Sequence, residues 1–303
     1  MAAGTTTRDS NIYVNVLMEA VRAQFATKKA LFGTGVAILK SGLPRHNVTG
    51  SAFGAGDKIQ IPYFGSIGEM EDITEGNAGT IRKLTSTKEE AAYIHSVIAG
   101  EVTEWARLAA QAADPNEALA EQYVEAAMRR IDLGLITRAL ATTLVQDNTG
   151  NSITYNAIID ACAKWGDQMG PGNGVKAMIV HSFVRAKLMK LRDDSGGSGL
   201  GRPLWQFGTP GNGGSQQPTL DSFMGIPVIC SDRLTPTSNV YPTLFCQSDA
   251  LIAWYSESPI KTDEDILADS TVSALHLYHA EHLYTRTPSS AKEGVVKLLT
   301  TES

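Results

Sequence analysis

The 303 residues carry a net charge of −6 and a hydrophobic share of 43%, which suits one large or two modest globular domains. That acidic balance argues against a chain that coats nucleic acid through a basic face. No apolar run reaches membrane-spanning length, and the opening MAAGTTTRDSN lacks the basic-then-apolar pattern of a secretion signal. Cys162, Cys230 and Cys246 are odd in number, widely spaced and without a CxxC. They read as reduced, buried thiols of a cytosolic protein. In such a chain the sequon Asn47-Val48-Thr49 carries no meaning.

Residues 1 to 10 are small and polar, so a loose terminus is expected. Asn11 to Lys29 predicts an amphipathic helix, with Ile12, Val16, Met18, Val21, Phe25 and Leu31 as its apolar positions and Lys28 and Lys29 at its C-terminal end. Gly33 and Gly35 break it. From Asp57 the pattern alternates with period two. Ile59, Ile61 and Tyr63 face one way, Lys58, Gln60 and Pro62 the other. Pro62 cannot donate to a ladder, which predicts an edge strand. A Gly-rich acidic segment, Gly65 to Gly79, holds Glu69, Glu71, Asp72 and Glu75 and reads as a solvated loop. A second extended run, Thr80 to Ala99, returns to complete a two-stranded ribbon. Such a ribbon is marginal alone, and this one has too few apolar residues for its own core. It must lie on its own body or on a neighbouring subunit.

Glu101 to Ala113 predicts a short helix carrying Trp105 and Leu108. A long helix follows from Asp114 to Leu144. Asp114 suits the N-cap, Pro115 the first turn, and Glu117 a capping box. At about 100° per residue, Glu121, Gln122, Glu125, Arg129 and Asp132 share one polar arc. Leu119, Tyr123, Ala126, Ala127, Leu133, Leu140 and Leu144 fill the rest. Glu125 and Arg129 are placed to pair. Ile136 falls in the polar arc, so the helix is expected to start on a surface and run into an interior. Gly134 costs helix stability, which predicts close backbone packing there.

Asp147-Asn148-Thr149-Gly150 reads as a turn. Ser152 to Met169 predicts a helix with Ile158, Ile159, Cys162 and Trp165 inward, ended by Pro171-Gly172-Asn173-Gly174. Ala177 to Val180 is a buried strand, and Ser182 is placed to cap a helix reaching about Arg192. Residues 193 to 219 form a Gly, Ser and Pro-rich loop broken by Leu204, Trp205 and Phe207, too long for a simple connector. Ile226 to Cys230 and Thr243 to Tyr255 are strands, Asp263-Glu264-Asp265 a charged loop, and Val272 to Thr287 a last extended run.

Chemistry is sparse. There is no GxxxxGK[ST] phosphate loop, no GxSxG elbow, and no glycine cluster between a strand and a helix. The best chemical candidate is His276, His279 and His282 with Glu281. On a helix they would share a face and could hold a metal. On a strand, the expected case, His276 and His282 face away from His279 and the site falls apart. No catalytic, cofactor-binding or metal-binding residue is therefore assigned, and no cofactor. A long chain without chemistry and with surplus interaction surface reads as structural, not as an enzyme.

Three features in order carry a family resemblance: a helical N-terminal arm, a long ribbon, and a long helix feeding an α/β region. The motifs are Gly56-Asp57-Lys58-Ile59-Gln60-Ile61-Pro62-Tyr63-Phe64, Ile73-Thr74-Glu75-Gly76 and Lys83-Leu84-Thr85. They continue with Met178-Ile179-Val180-His181-Ser182 and Gly225-Ile226-Pro227-Val228-Ile229-Cys230-Ser231-Asp232. The chain resembles a tailed-bacteriophage major capsid protein with the HK97-type fold, over nearly its whole length. The resemblance implies an α+β fold with an N-terminal arm (1–46), an extended two-stranded E-loop (47–100), and a peripheral domain with a spine helix (101–151). An axial domain (152–262) and a return to the peripheral domain (263–303) complete it.

It further implies self-assembly into hexamers and pentamers of an icosahedral head that encloses double-stranded DNA without gripping it. The particle would be a virion assembled in the bacterial host cytoplasm, without a membrane. Scaffolding, portal and cement proteins are possible partners; the arm starts within ten residues of Met1, so if that is the gene's start a scaffold would be a separate protein or unnecessary. Lys58, Lys83 and Lys88 lie in or near the ribbon, but no motif pairs any of them with an Asn, so no crosslinking residue is carried over. Two other readings stand beside this one: an encapsulin-like compartment of the same fold, and a soluble α/β enzyme built on residues 177 to 255.

Overall fold

Extended runs dominate the chain, and among the described residues they build two main sheets attended by three helices, an α+β arrangement. This computed structural model describes residues 36–42, 58–64, 71–72, 79–84, 86–103, 115–166, 174–191, 204–206, 221–257, 260–265, 269–287 and 292–302. The predicted helix from Asn11 to Lys29, the Asp114 cap, the segment 104–113 and nearly all of the loop 193–219 lie outside those residues.

The first sheet is built on β13 (Ser270–Leu283). One edge of β13 pairs antiparallel with β4 (Ile94–Thr103). Its other edge pairs with β12 (Lys261–Asp265) and then with β11 (Leu251–Glu257), also antiparallel. β1 (Ala37–Ser41) runs parallel to β11 and closes that side. Strand alternation divides β13 cleanly. Ser273, Leu275, Leu277, His279 and Glu281 are buried on the inner face. His276, Tyr278, Ala280 and His282 stand on the outer face.

The second sheet has seven strands. In spatial order they are β5 (Val145–Asn148), β16 (Val295–Thr301), β10 (Val240–Gln247), β6 (Val175–Val180), β9 (Ile226–Cys230), β8 (Ser222–Phe223) and β7 (Trp205–Gln206). β6 is buried on both faces, which is why its sequence reads as a continuous apolar run. Ala177 and Ile179 enter the core shared with the first sheet; Met178 and Val180 enter a second core with Trp165, Phe245 and Leu298.

Between the sheets lies α1 (Pro115–Leu140), 26 residues and about 39 Å long. Pro115 opens it as expected, but it ends four residues before Leu144, which packs in the second core. Lys297 Nζ donates to the Leu140 carbonyl at 2.8 Å, closing the end. Arg129 and Glu125 pair as expected. The exposed face differs from the one expected. Leu133 is 42% exposed, while Asp132 is buried and lies 3.9 Å from Arg233 Nη1. The exposed row runs Glu121, Glu125, Arg129, Leu133, Thr137, each four residues on. Such a row drifts about 40° per step, so Ile136 rotates inward and the helix keeps one wet side to its end.

Two glycines set how closely α1 approaches the first sheet. A Cβ on Gly134 would lie 2.5 Å from Glu281 Cδ, so the expected close packing is there. A Cβ on Gly100 of β4 would lie 3.0 Å from the Tyr123 hydroxyl and collide with Leu119. Tyr123 uses that approach to donate to the Ser273 carbonyl at 2.6 Å.

Other boundaries move for local reasons. Glu101–Thr103 belong to β4, not to a helix. Asp147 and Asn148 end a strand, and the turn begins at Thr149, whose N–H donates to Asp147 Oδ1 at 2.9 Å. α2 (Tyr155–Ala163) starts later than expected because Thr154 is its cap. Ile158, Cys162 and Trp165 are buried, but Ile159 is 44% exposed. α3 (Ser182–Leu188) is capped by His181, whose imidazole accepts from the Phe183 N–H, and stops short of Arg192. The run Thr243 to Tyr255 is two strands in two sheets, divided at Asp249 with φ of +53°. Asp263-Glu264-Asp265 are strand residues of β12, not a loop.

Candidate functional site

The ribbon is the feature with a function to explain. β2 (Lys58–Phe64) pairs antiparallel with β3 (Ser86–Ala92), with Pro62 opposite Lys88 and nothing on β2's other edge among the described residues. Ile59, Ile61 and Tyr63 face one way, as the alternation requires, and Ala91 and Glu89 join them. That face rests on the outer side of the first sheet. Ile59 and Ala91 form a small core with Ile252, Trp254 and Ala280, flanked by Ile38, Ile61 and Tyr93. Of the two seats open to a core-poor ribbon, its base therefore takes its own body.

A polar node pins this base. The Tyr63 hydroxyl lies 2.9 Å from His282 Nε2, and Glu89 Oε2 lies 3.0 Å from the same nitrogen. One ring nitrogen meets a phenol and a carboxylate, both supplied by the ribbon. As an acceptor it receives a hydrogen bond from the Tyr63 O–H; as a donor it gives one to Glu89. Burial pushes the His282 pKa below its usual value, with Arg138 acting the same way and Glu89 opposing. The Tyr63 and Tyr284 rings, 5.2 Å apart, cover the node.

Farther along the ribbon, a second tie stands among the described residues. Arg82 Nη2 bridges to Glu71 Oε1 at 2.7 Å, and the Thr80 N–H donates to Glu71 Oε2 at 3.2 Å. The Arg82 bond, first, holds the Glu71 carboxyl below its ordinary range. Glu71, expected as part of a solvated loop, thus ties the two arms together. Around it Ile81 is 95% exposed, Phe64 63% and Leu84 54%. Isolated exposed apolar residues are ordinary; these three all lie in the described part of the ribbon.

The predicted histidine set divides as a strand demands. His276 and His282 stand outside, and His279 points inward beneath α1. Among the described residues no three His, Cys, Asp or Glu side chains gather for a metal ion. His279 Nδ1 bonds the buried Glu281 carboxylate, and its Nε2 lies 3.0 Å from Ser96 Oγ, which also receives Arg130 Nε at 3.3 Å. Sequence reasoning missed Ser96 because the link is diagonal across two strands 183 residues apart. The chain Arg130–Ser96–His279–Glu281 fastens the helix to the sheet at the Gly134 approach.

The lysines considered for crosslinks are exposed, and Lys58 pairs with Glu90 at 2.7 Å. Two thiols match expectation: burial raises Cys162 to about 11 and Cys246 to about 12. Cys230 does not match. It ends β9 on the exposed side.

The sequence matches no protein-family model and no curated protein. Its fold does match solved structures. A chain from Gordonia phage Cozz aligns with a TM-score of 0.58 at 14% identity, over 91% of this chain and 89% of that one. The capsid of Ralstonia phage GP4 aligns at 0.58 with 11% identity, over 91% and 92%. The capsid of a native GTA particle aligns at 0.55 with 12% identity, over 91% and 93%. The chain thus shares the fold of these phage and GTA capsid structures.

Proposed function

We propose that this chain is the major capsid protein of a tailed phage, a shell subunit with no catalytic role. Copies assemble into hexamers and pentamers, and these close an icosahedral head around double-stranded DNA. The observation that carries this is the fold likeness, which spans about nine-tenths of both chains in each comparison above. The exposed ribbon end supports it. Ile81, Phe64 and Leu84 are exposed, and in this reading an adjacent subunit covers them.

In this reading residues 1–46 are the N-terminal arm and 47–100 the E-loop, based on its own sheet and reaching outward. Residues 101–151 hold the spine helix α1 of the peripheral domain, 152–262 the axial domain, and 263–303 the return. The strands of the last segment serve both halves, since β13 centres one sheet and β16 lies inside the other. The net charge of −6 supports a shell that encloses DNA without binding it. The particle belongs to the virion and assembles in the host cytoplasm, with scaffolding, portal and cement proteins as candidate partners.

Negative-stain microscopy of the purified chain, alone and co-expressed with its neighbouring genes, tests this. Shells or rings of five or six subunits are expected. A compact monomer under both conditions would remove the capsid reading, and shells filled with an enzyme instead of DNA would move it to an encapsulin-like compartment.

A further inference from the structure

Among the described residues β4 is the long edge strand without a guard. It pairs with β13 alone, ten residues in unbroken register. Its other edge carries main-chain N–H and C=O groups that a further strand can pair. Proteins blunt such edges with Lys, Pro, bulges or shortness. The other edges here follow that rule. Pro62 stands in β2, Lys88 in β3, and Lys261 with three carboxylates in β12. β1 has five residues and Lys40, while β5 and β7 are shorter still. β4 reads IHSVIAGEVT, without Lys, Arg or Pro, and Val97 near its middle is 59% exposed.

We propose that the β4 strand of a second copy completes this edge, antiparallel across a two-fold axis at Ile98. The sequence selects that register. A two-fold axis perpendicular to the sheet keeps each face on its own side, so it passes through a residue and not between two. With Ile98 opposite its own copy, the pairs match on both faces. Outside, His95 meets the second copy's Glu101, and Val97 meets its Ala99. Inside, Ile94 meets Val102, and Ser96 meets Gly100. Moving the axis to Val97 sets His95 against Ala99 and Ile94 against Gly100; moving it to Ala99 sets Glu101 against Val97. Either move loses the polar pair. His276 engages His95 at Nε2, and Ser270 engages Glu101 at Oε1, which leaves His95 Nδ1 and Glu101 Oε2 for the contact. With its proton on Nδ1, His95 donates to the second copy's Glu101 and accepts from His276. Val97 and Ala99 of both copies then make one apolar patch at the axis. A two-stranded contact is marginal alone, so this one forms between subunits already held in rings, and in that it rests on the capsid reading. Subunits within a ring meet head to tail, whereas a two-fold contact is self-complementary, so β4 joins one ring to the next.

The test is disulfide crosslinking of the full chain with diamide, co-expressed with its neighbouring gene products if shells need them. A Cys230→Ser background removes the exposed thiol. In the proposed register Val97 of one copy and Ala99 of the other stand directly opposite, about 4.5–5.5 Å apart at Cα and within disulfide reach. The two copies of Val97, or of Ala99, are diagonal at about 7–8 Å, beyond that reach. Within one strand the two Cβ atoms are about 6.6 Å apart, too far for an internal bridge. The double variant Val97→Cys, Ala99→Cys should therefore give on the order of ten times more covalent dimer than either single variant, and no larger covalent species. Both positions are exposed, and circular dichroism controls for folding. Microscopy of the same samples separates the two ways to fail. Rings or shells in which the double variant crosslinks no better than the single ones overturn the pairing and leave the capsid reading standing. A chain that forms neither rings nor shells overturns both.

Discussion

Gly134 of α1 stands where any side chain would strike the Glu281 carboxylate of β13. The glycine costs the helix about 1 kcal/mol of propensity relative to alanine, and it lets the helix lie on a buried carboxyl side chain. Glu281 is then held by His279, which reaches Ser96. Gly134→Ala should therefore destabilise the protein despite its better helix propensity, by about 1–3 kcal/mol, because the added methyl overpacks a site that cannot relax. Denaturant unfolding checks this. A more stable variant would mean that the helix stands farther off the sheet than described.

The ribbon base should respond to acid. His282 has its pKa lowered in the seated state, chiefly by burial. A lowered histidine binds protons more readily when released, so seating is fully favoured above the ordinary imidazole value of about 6.5 and weakens as pH falls through it. Hydrogen exchange in Lys58–Phe64 and Ser86–Ala92 should thus quicken between neutral pH and pH 5 relative to β10. Tyr63→Phe should loosen the same segments at neutral pH by about 0.5–1.5 kcal/mol, the net worth of one hydrogen bond. Unchanged protection in both experiments would mean that the apolar contacts alone hold the base.

The thiols separate by burial. At pH 8 a thiol reagent should modify Cys230 in the native protein and leave Cys162 and Cys246 until unfolding, since burial raises those two to about 11 and about 12. Counting released chromophore with and without denaturant gives one against three. Two or more reactive thiols in the native state would contradict the burial of Cys246 in the shared core or of Cys162 in the second core.

Much of this architecture is legible in the residues where one face is wet and the other dry. The alternation around Ile59 and Tyr63, the long helix and its Gly134 approach, the buried run of β6 and the strand placement of the histidines all follow from period and composition. The failures share a cause. From Thr243 to Tyr255 the apolar residues on both sides hide the break, whose mark is the short polar run Gln247-Ser248-Asp249, and Asp249 tolerates the positive φ there. Where an edge strand is charged, as at Asp263-Glu264-Asp265, polarity imitates a loop. The exposed row of α1 drifts because it follows the four-residue rows across a twisted sheet, so a fixed 100° arc misplaces Asp132, Leu133 and Ile136. The tie from Tyr63 to His282 joins residues 219 apart, and no local pattern encodes it.

In the proposed shell Ile81 and Leu84 of the ribbon contact an adjacent subunit, and particle mass by sedimentation velocity tests that most directly. The native chain and the double variant Ile81→Glu, Leu84→Glu would be compared at equal concentration, with co-expressed neighbouring gene products if the native chain needs them. Native protein is expected to sediment as rings or shells. The variant is expected as a 32.4 kDa monomer with unchanged circular dichroism, because both substituted side chains are exposed within the chain. A variant that assembles like the native chain, or a native chain that stays monomeric in the presence of its neighbours' products, would contradict the account.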